Sequence, residues 1–166
     1  MKYVIPILLM LMSLFTPVAC TVKGIHFNQE CAGYLKQAAD ANTAEIALDR
    51  IDLALEYIER NNLTDGYTSV LWRTEDENIG FWYQNIKACK SELESCIGGS
   101  QLEKSNILMK VRESLTDNGD SGTELTIPSG LCRYPNNAVY MLFGWLSLFA
   151  FIIGLCWFLY LIENDY

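Results

Sequence analysis

Residues 79–96 read Ile-Gly-Phe-Trp-Tyr-Gln-Asn-Ile-Lys-Ala-Cys-Lys-Ser-Glu-Leu-Glu-Ser-Cys, and Ile79, Trp82, Ile86, Cys89, Leu93 and Cys96 recur at spacings of 3, 4, 3, 4 and 3. That period puts all six on one side of a helix. Thr74-Glu-Asp-Glu77 is a cap-like start with acids where the helix dipole favours them, and Gly98-Gly99 ends the run. Upstream, Leu48, Ile51, Leu55 and Ile58 form a second stripe, with Asp49, Asp52, Glu56 and Glu59 mostly opposite and Asn42 with Glu45 as a capping-box-like start. Two such stripes, joined by a connection of about fifteen residues, predict an antiparallel helical hairpin. A shorter helical stretch over 28–39, broken near Asp40-Ala41-Asn42, precedes it. A helix over 101–115 follows, presenting Leu108, Val111 and Leu115 as a lid.

Outside this region the chain changes character. Residues 3–19 and 134–162 carry no charge, whereas 20–137 hold 11 Lys and Arg against 18 Asp and Glu. Met1-Lys2, an apolar run from Tyr3 to Phe15 and the small residues ending at Ala19 have the layout of a secretory signal peptide cut after Ala19. Residues 138–162 are almost wholly apolar and span a bilayer at about 1.5 Å per residue, with Tyr140, Trp145, Trp157 and Tyr160 as interfacial anchors.

The expected fold class is all-α: a small exported helical bundle, an antiparallel hairpin plus one or two short helices, with a C-terminal single transmembrane helix. The domain map is 1–19 signal peptide, 20–115 exported helical domain, 116–137 flexible stalk, 138–162 transmembrane helix and 163–166 cytoplasmic tail. The stalk assignment rests on the Gly, Ser, Asn, Asp and Pro that dominate 116–137. With an exported start, 20–137 lie outside and the chain crosses once.

Cys20, directly after Val18-Ala19, resembles the lipobox of bacterial lipoproteins, with Pro17 where a Leu-like residue is usual. The resemblance implies lipidation of Cys20. It would leave Cys31, Cys89, Cys96 and Cys132 as an even set in an oxidising compartment. Cys89 and Cys96 lie about 10 Å apart along one helix, beyond disulfide reach. Laying out the hairpin then gives Cys31–Cys96 and Cys89–Cys132 as the expected pairs, against free thiols packed in the stripe.

No catalytic apparatus is legible. The single histidine, His26, has no nucleophile elbow or zinc-helix pattern near it, and phosphate-binding and dinucleotide glycine motifs are absent. Asp117, Asp120 and Glu124 lack calcium-loop spacing. Acid pairs such as Asp49 with Asp52, or Glu92 with Glu94, suit solvated helix faces. No cofactor and no metal is expected, and the net charge of −8 argues against a nucleic-acid partner, whose phosphates need a basic face.

The remaining candidates are surfaces. Tyr67, Trp72, Arg73, Phe81 and Tyr83 form the densest aromatic cluster outside the membrane run, of the residue types that anchor protein interfaces. The simpler reading has Trp72 and Phe81 roofing the hairpin core. Gly144, Ser147, Ala150 and Gly154 place small residues on one face of the membrane helix, a surface for self-association into a homo-oligomer. The functional expectation is a non-enzymatic, membrane-anchored interaction or adaptor module, with an unknown protein partner, on the outer side of a bacterial inner membrane. The alternatives are an exported immunity or inhibitor-type protein that binds a basic toxin or invading factor, and an envelope enzyme acting on lipid or cell wall.

Overall fold

The computed structural model describes residues 3–70, 73–119, 122–128 and 137–164, the side chains of 118, 119 and 122 excepted. It is mostly helical, as the periodicity predicts. The chain divides into two compact units, one of residues 1–24 and 137–166 and the other of residues 25–136.

The first unit holds α1 (Val4–Ser13), most of α2 (Phe15–Phe27) and α7 (Ala138–Glu163). Pro17 accounts for the break at Leu14. It has no N–H to give Ser13 and its ring crowds that carbonyl, so the chain turns tightly with Leu14 N–H on Leu11 O at 3.2 Å. Pro6 interrupts nothing, because it lies in the first turn of α1, where no intrahelical donor is needed. Two helical stretches, one within Val4–Ala39 and the other Ala138–Glu163, are long and apolar enough to cross a membrane. Only 6% of the apolar window of α7 is buried within the structure. The expected cut between Ala19 and Cys20 falls inside α2.

In the second unit α3 (Gly33–Ala39), α4 (Ala44–Arg60), α5 (Ile79–Cys96) and α6 (Gln101–Leu115) pack against one another. A wide turn over Asn28–Ala32 leads into α3, with Gly33 N–H donating to Asn28 O. A Cβ at 33 would stand 3.1 Å from that oxygen, which is why glycine suits the position. The expected break after residue 39 is present, with Asp40 as the C-cap of α3.

The α5 stripe is buried at all six expected positions. Its start differs in detail: the Thr74–Glu77 capping box closes a single 3-10 turn, Glu75–Glu77, and Asn78 then caps α5 by accepting from Phe81 N–H at 3.1 Å. On α4 the buried face is rotated from the expected one. Ala44, Ala47, Ile51, Ala54, Leu55, Tyr57 and Ile58 are buried while Leu48 is only partly so, and the cap is Thr43 rather than Asn42. The physical reason is that α4 is covered by α3 as well as α5. Alanines let α3, which brings Ala38 and Ala39, lie close against it. A four-residue stripe of large side chains captures the α5 side and misses the alanine side.

The end of α4 closes with Asn62 at φ 56°, Asn62 N–H on Glu59 O at 3.1 Å and Leu63 N–H on Ile58 O at 2.8 Å. Asparagine tolerates that left-handed position, and Leu63 is buried beside the helix it terminates. The loop after α4 is tied to the start of α5. Tyr67 makes one bridge with Asn78, and Thr68 N–H on Glu77 O and Ile79 N–H on Gly66 O zip the loop to the start of α5.

Residues 116–128 correct the flexible-stalk expectation. They form an antiparallel hairpin, β1 (Thr116–Gly119) and β2 (Gly122–Leu125), with Thr126 N–H bonded back to Leu115 O at 2.9 Å. Leu125 and Ile127 pack on the core of this unit and Pro128 is buried. These three apolar side chains hold a hairpin too short to be stable alone. The rest of the expected stalk, 129–136, lies outside the described residues.

Asp52 and Glu92, read as part of solvated faces, and Glu45, read as part of a helix cap, make interhelical ties. Lys104 Nζ meets Glu45 at 2.8 Å, Lys90 Nζ meets Asp52 at 2.7 Å, Lys110 pairs with Glu92, and Arg112 Nε donates to Ala39 O at 2.8 Å. The hydrogen bond from Lys104 holds the Glu45 carboxyl below its ordinary range.

Two predictions follow from this packing. Ala47→Leu should cost about 1–3 kcal/mol by overpacking, whereas Leu48→Ala should cost less than a buried Leu truncation, about 2–5 kcal/mol; denaturant melts of the detergent-solubilised protein give both. Because Glu45 binds its proton more weakly folded than unfolded, its contribution is present above the ordinary carboxylate range and lost as pH falls through it and through the lowered folded value. Glu45→Gln should therefore flatten the acid limb of the stability–pH curve and leave the neutral-to-alkaline limb in place.

Candidate functional site

The hairpin and α5 enclose a cleft of about 600 Å³ within the second unit. Trp82, Ile86 and Leu115, all buried, form its floor, with Leu125, Ile127 and Pro128 along the β2 side. Phe81 stands at the rim and is 62% exposed, while its neighbour Trp82 is 7% exposed. Consecutive helical positions point about 100° apart, so burying Trp82 in the core stripe leaves Phe81 facing outward. The Trp82 indole Nε1 is buried and has no hydrogen-bond partner among the described residues. An unsatisfied buried donor costs about 1–3 kcal/mol.

The polar lining has one sign. Glu75, Asp76, Asp117 and Glu124 line the cleft, all exposed, together with Asn78, Asn85, Ser114 and Thr126, and no Lys or Arg is among the described lining residues. Asp117 and Glu124 are directly opposite in the β1–β2 register. Like charges across a ladder oppose strand pairing by a few tenths to about 1 kcal/mol. The cleft thus combines an apolar floor, an exposed aromatic and an acidic rim drawn from three separate segments.

The expected aromatic cluster divides. Phe81 lines the cleft, but it does not roof the core; Trp82 does. Tyr67 and Arg73 form a local pair, with the guanidinium 5.4 Å from the ring centroid and Asn78 Nδ2 donating to the Tyr67 hydroxyl at 3.4 Å. Neither lines the cleft. Tyr83 ties α5 to α4: its hydroxyl donates to Glu59 at 2.7 Å, and that bond pushes the phenol up from its ordinary value. Lys87 Nζ stands 5.4 Å from the Tyr83 ring centroid. Trp72 lies outside the described residues. Asn85, Ser114, Leu125 and Ile127 were not marked by the sequence reading; the signal available for the last two was their alternation with Thr123, Glu124 and Thr126.

The Cys31–Cys96 bridge is not formed. Both residues are buried and free, and Cys96 Sγ donates to Leu93 O at 3.2 Å. Cys89 is also free, its partner Cys132 lies outside the described residues, and burial pushes the Cys89 and Cys96 thiols up. Cys96 faces the core from the last turn of α5, so it serves as a small apolar side chain. Cys20 is half-buried in α2 without a disulfide. Ser147 and Gly154 of the small-residue face contact the N-terminal segment of the same unit: Ser147 Oγ is 2.8 Å from Thr16 Oγ1, and Gly154 lies against Pro6 and Met10. Gly144 and Ala150 are half-buried on that face. No cluster of His, Cys, Asp and Glu able to hold a metal occurs among the described residues.

Comparison with protein-family models, with curated proteins and with solved structures finds no match for this chain.

Replacing one of the opposed acids tests what the rim charge does to the fold. Glu124→Lys should turn a repulsive cross-strand pair into an attractive one and raise stability by a few tenths to about 1 kcal/mol, read as a higher denaturation midpoint at low salt. Added salt should shrink the gain.

Proposed function

We propose that the protein is a membrane-anchored, non-enzymatic interaction module that takes a basic, apolar-faced segment of a protein partner into the cleft between α5 and the β hairpin. The observation that carries the reading is the cleft itself: four carboxylates and no described cation around an apolar floor, with Phe81 exposed beside it. Lys and Arg on the partner would meet the rim, and its apolar side chains would cover Phe81, Leu125 and Ile127. Charge of one sign steers encounter and rejects acidic competitors.

The display side we favour is the exported one, from the Lys2 start ahead of the first apolar helix. An inhibitor that binds a basic toxin or invading factor uses the same chemistry as a general adaptor, so the cleft supports both, and the genes adjacent to this one distinguish them. An enzyme of lipid or cell wall is less well supported. Its acids would need a low-dielectric setting to act as acid and base, and the four rim carboxylates are exposed to solvent.

Calorimetric titration of the full chain in nanodiscs tests the reading. The probes are a designed helical peptide with a Leu/Phe face and Lys/Arg elsewhere, and its Glu-substituted counterpart. The basic peptide should bind, weaken with salt, and lose about tenfold in affinity with Phe81→Ala, the cost of roughly 1.4 kcal/mol expected of an interface anchor. Glu124→Lys should weaken binding even as it stabilises the fold. Equal affinity for the two peptides, or none for either, sinks the proposal.

A further inference from the structure

The small-residue face of α7 already has an occupant in this chain. Along α7 the less exposed positions are Tyr140, Met141, Gly144, Ser147, Ala150, Gly154, Phe158 and Leu161, along one side of the helix, while the others point outward. A Cβ at Gly154 would stand 3.0 Å from both Pro6 O and Met10 Cγ, so a larger residue there would push the two segments apart by at least a few tenths of an ångström. Thr16 Oγ1 and Ser147 Oγ share a hydrogen bond of 2.8 Å. Tyr3 packs edge-on against Phe158 with centroids 5.8 Å apart, and Lys23 Nζ stands 4.2 Å from the Tyr140 ring centroid. In these four contacts rising numbers on one side meet falling numbers on the other, so the pair is antiparallel.

We infer that residues 3–22, α1 and the start of α2 joined through the kink at Leu14, are retained as a second membrane-spanning segment, and that the face of α7 is the surface that receives it. The chain is then held by a helical hairpin, with Tyr3 and Glu163 at one side of the bilayer and Lys23 and Asn137 at the other. The uncharged run from Tyr3 to Val22 is 20 residues long. At about 1.5 Å per residue that matches the hydrocarbon thickness. Lys23 and Tyr140 then meet where a cation and an aromatic ring are both favoured, at the interface. A cut after Ala19 would remove Tyr3, Pro6, Met10 and Thr16 together. Ser147 would lose its hydrogen-bond partner in hydrocarbon, where an unpaired hydroxyl is costly, and the groove at Gly154 would be left to lipid. The Ala19–Cys20 bond also lies within helix rather than in the exposed loop that proteolysis favours. This inference stands apart from the cleft and does not depend on it.

The test uses the full chain in membranes with Cys20→Ser and Cys156→Ser, carrying Thr16→Cys and Ser147→Cys. Mild oxidation is followed by peptide mapping, and intact mass of the untouched chain is measured in parallel. The expected results are a mass that includes residues 1–19 and a disulfide between 16 and 147 within one chain. Adding Gly154→Ile should reduce that disulfide at least tenfold, whereas Gly144→Ala, where a Cβ meets nothing within 4 Å, should leave it unchanged. If Gly154→Ile does not accumulate, Gly154→Ala should give a smaller reduction in the same direction. A mature chain starting at Cys20 overturns the inference, as does a 16–147 crosslink found only between two chains.

Discussion

The second unit depends on the complete burial of one side of α4. Ala44, Ala47, Ile51, Ala54 and Ile58 have no exposed surface, and no single neighbouring helix can cover a face that wide. Helix α3 takes the alanine side, α5 the side of Leu55 and Ile58, and α6 closes over the seam with Val111 and Leu115. The polar ties are set around this contact. Glu45–Lys104 and Asp52–Lys90 bind α4 to α6 and α5 at the margin of the apolar face, where the charges remain partly hydrated and add orientation more than stability.

That arrangement explains which parts of the fold were legible in the sequence. The α5 stripe contacts the core along its whole length, so large apolar residues at regular spacing identified every buried position. For α4 the periodic Leu and Ile marked only part of the face, since the alanines that admit α3 carry little hydropathy signal. Residues 116–128 misled for a related reason. Glycine, asparagine and aspartate are what a linker contains, but they are also what a tight hairpin contains, and the deciding feature was the apolar trio Leu125, Ile127 and Pro128. Those residues acquire meaning only once Leu115 presents a carbonyl to Thr126 N–H.

The same limit hid the cleft. Its lining comes from 75–86, 114–117 and 124–128, stretches with no common motif, brought together when the hairpin folds back beside α5. The aromatic-rich stretch around Phe81 points to the right helix and blurs the roles of its three adjacent aromatics. On a helix, adjacent aromatics cannot share a destination: Trp82 entered the core, Tyr83 turned to Glu59 on α4, and Phe81 was left outward. Net charge was equally ambiguous. Glu45, Asp52 and Glu59 of α4 and Glu92 of α5 are drawn into interhelical contacts, so an overall −8 says less about partner chemistry than the few carboxylates concentrated on the rim.

In the membrane-type unit, hydropathy says that a helix can sit in lipid but not what lies beside it. Helix α7 is apolar on every side, so only the volume of its side chains distinguishes one face from another. Small residues at spacings of 3, 3 and 4 admit a second helix whatever chain it comes from, which is why they suggested self-association. The discriminating information lies in the N-terminal segment. Thr16 matches Ser147 in depth as well as chemistry, and Pro6 leaves the turn against Gly154 undisturbed because it lies where a helix needs no donor. Two segments that read separately as a leader and an anchor are complementary along their length. That complementarity is a property of the pair and is carried by neither segment alone.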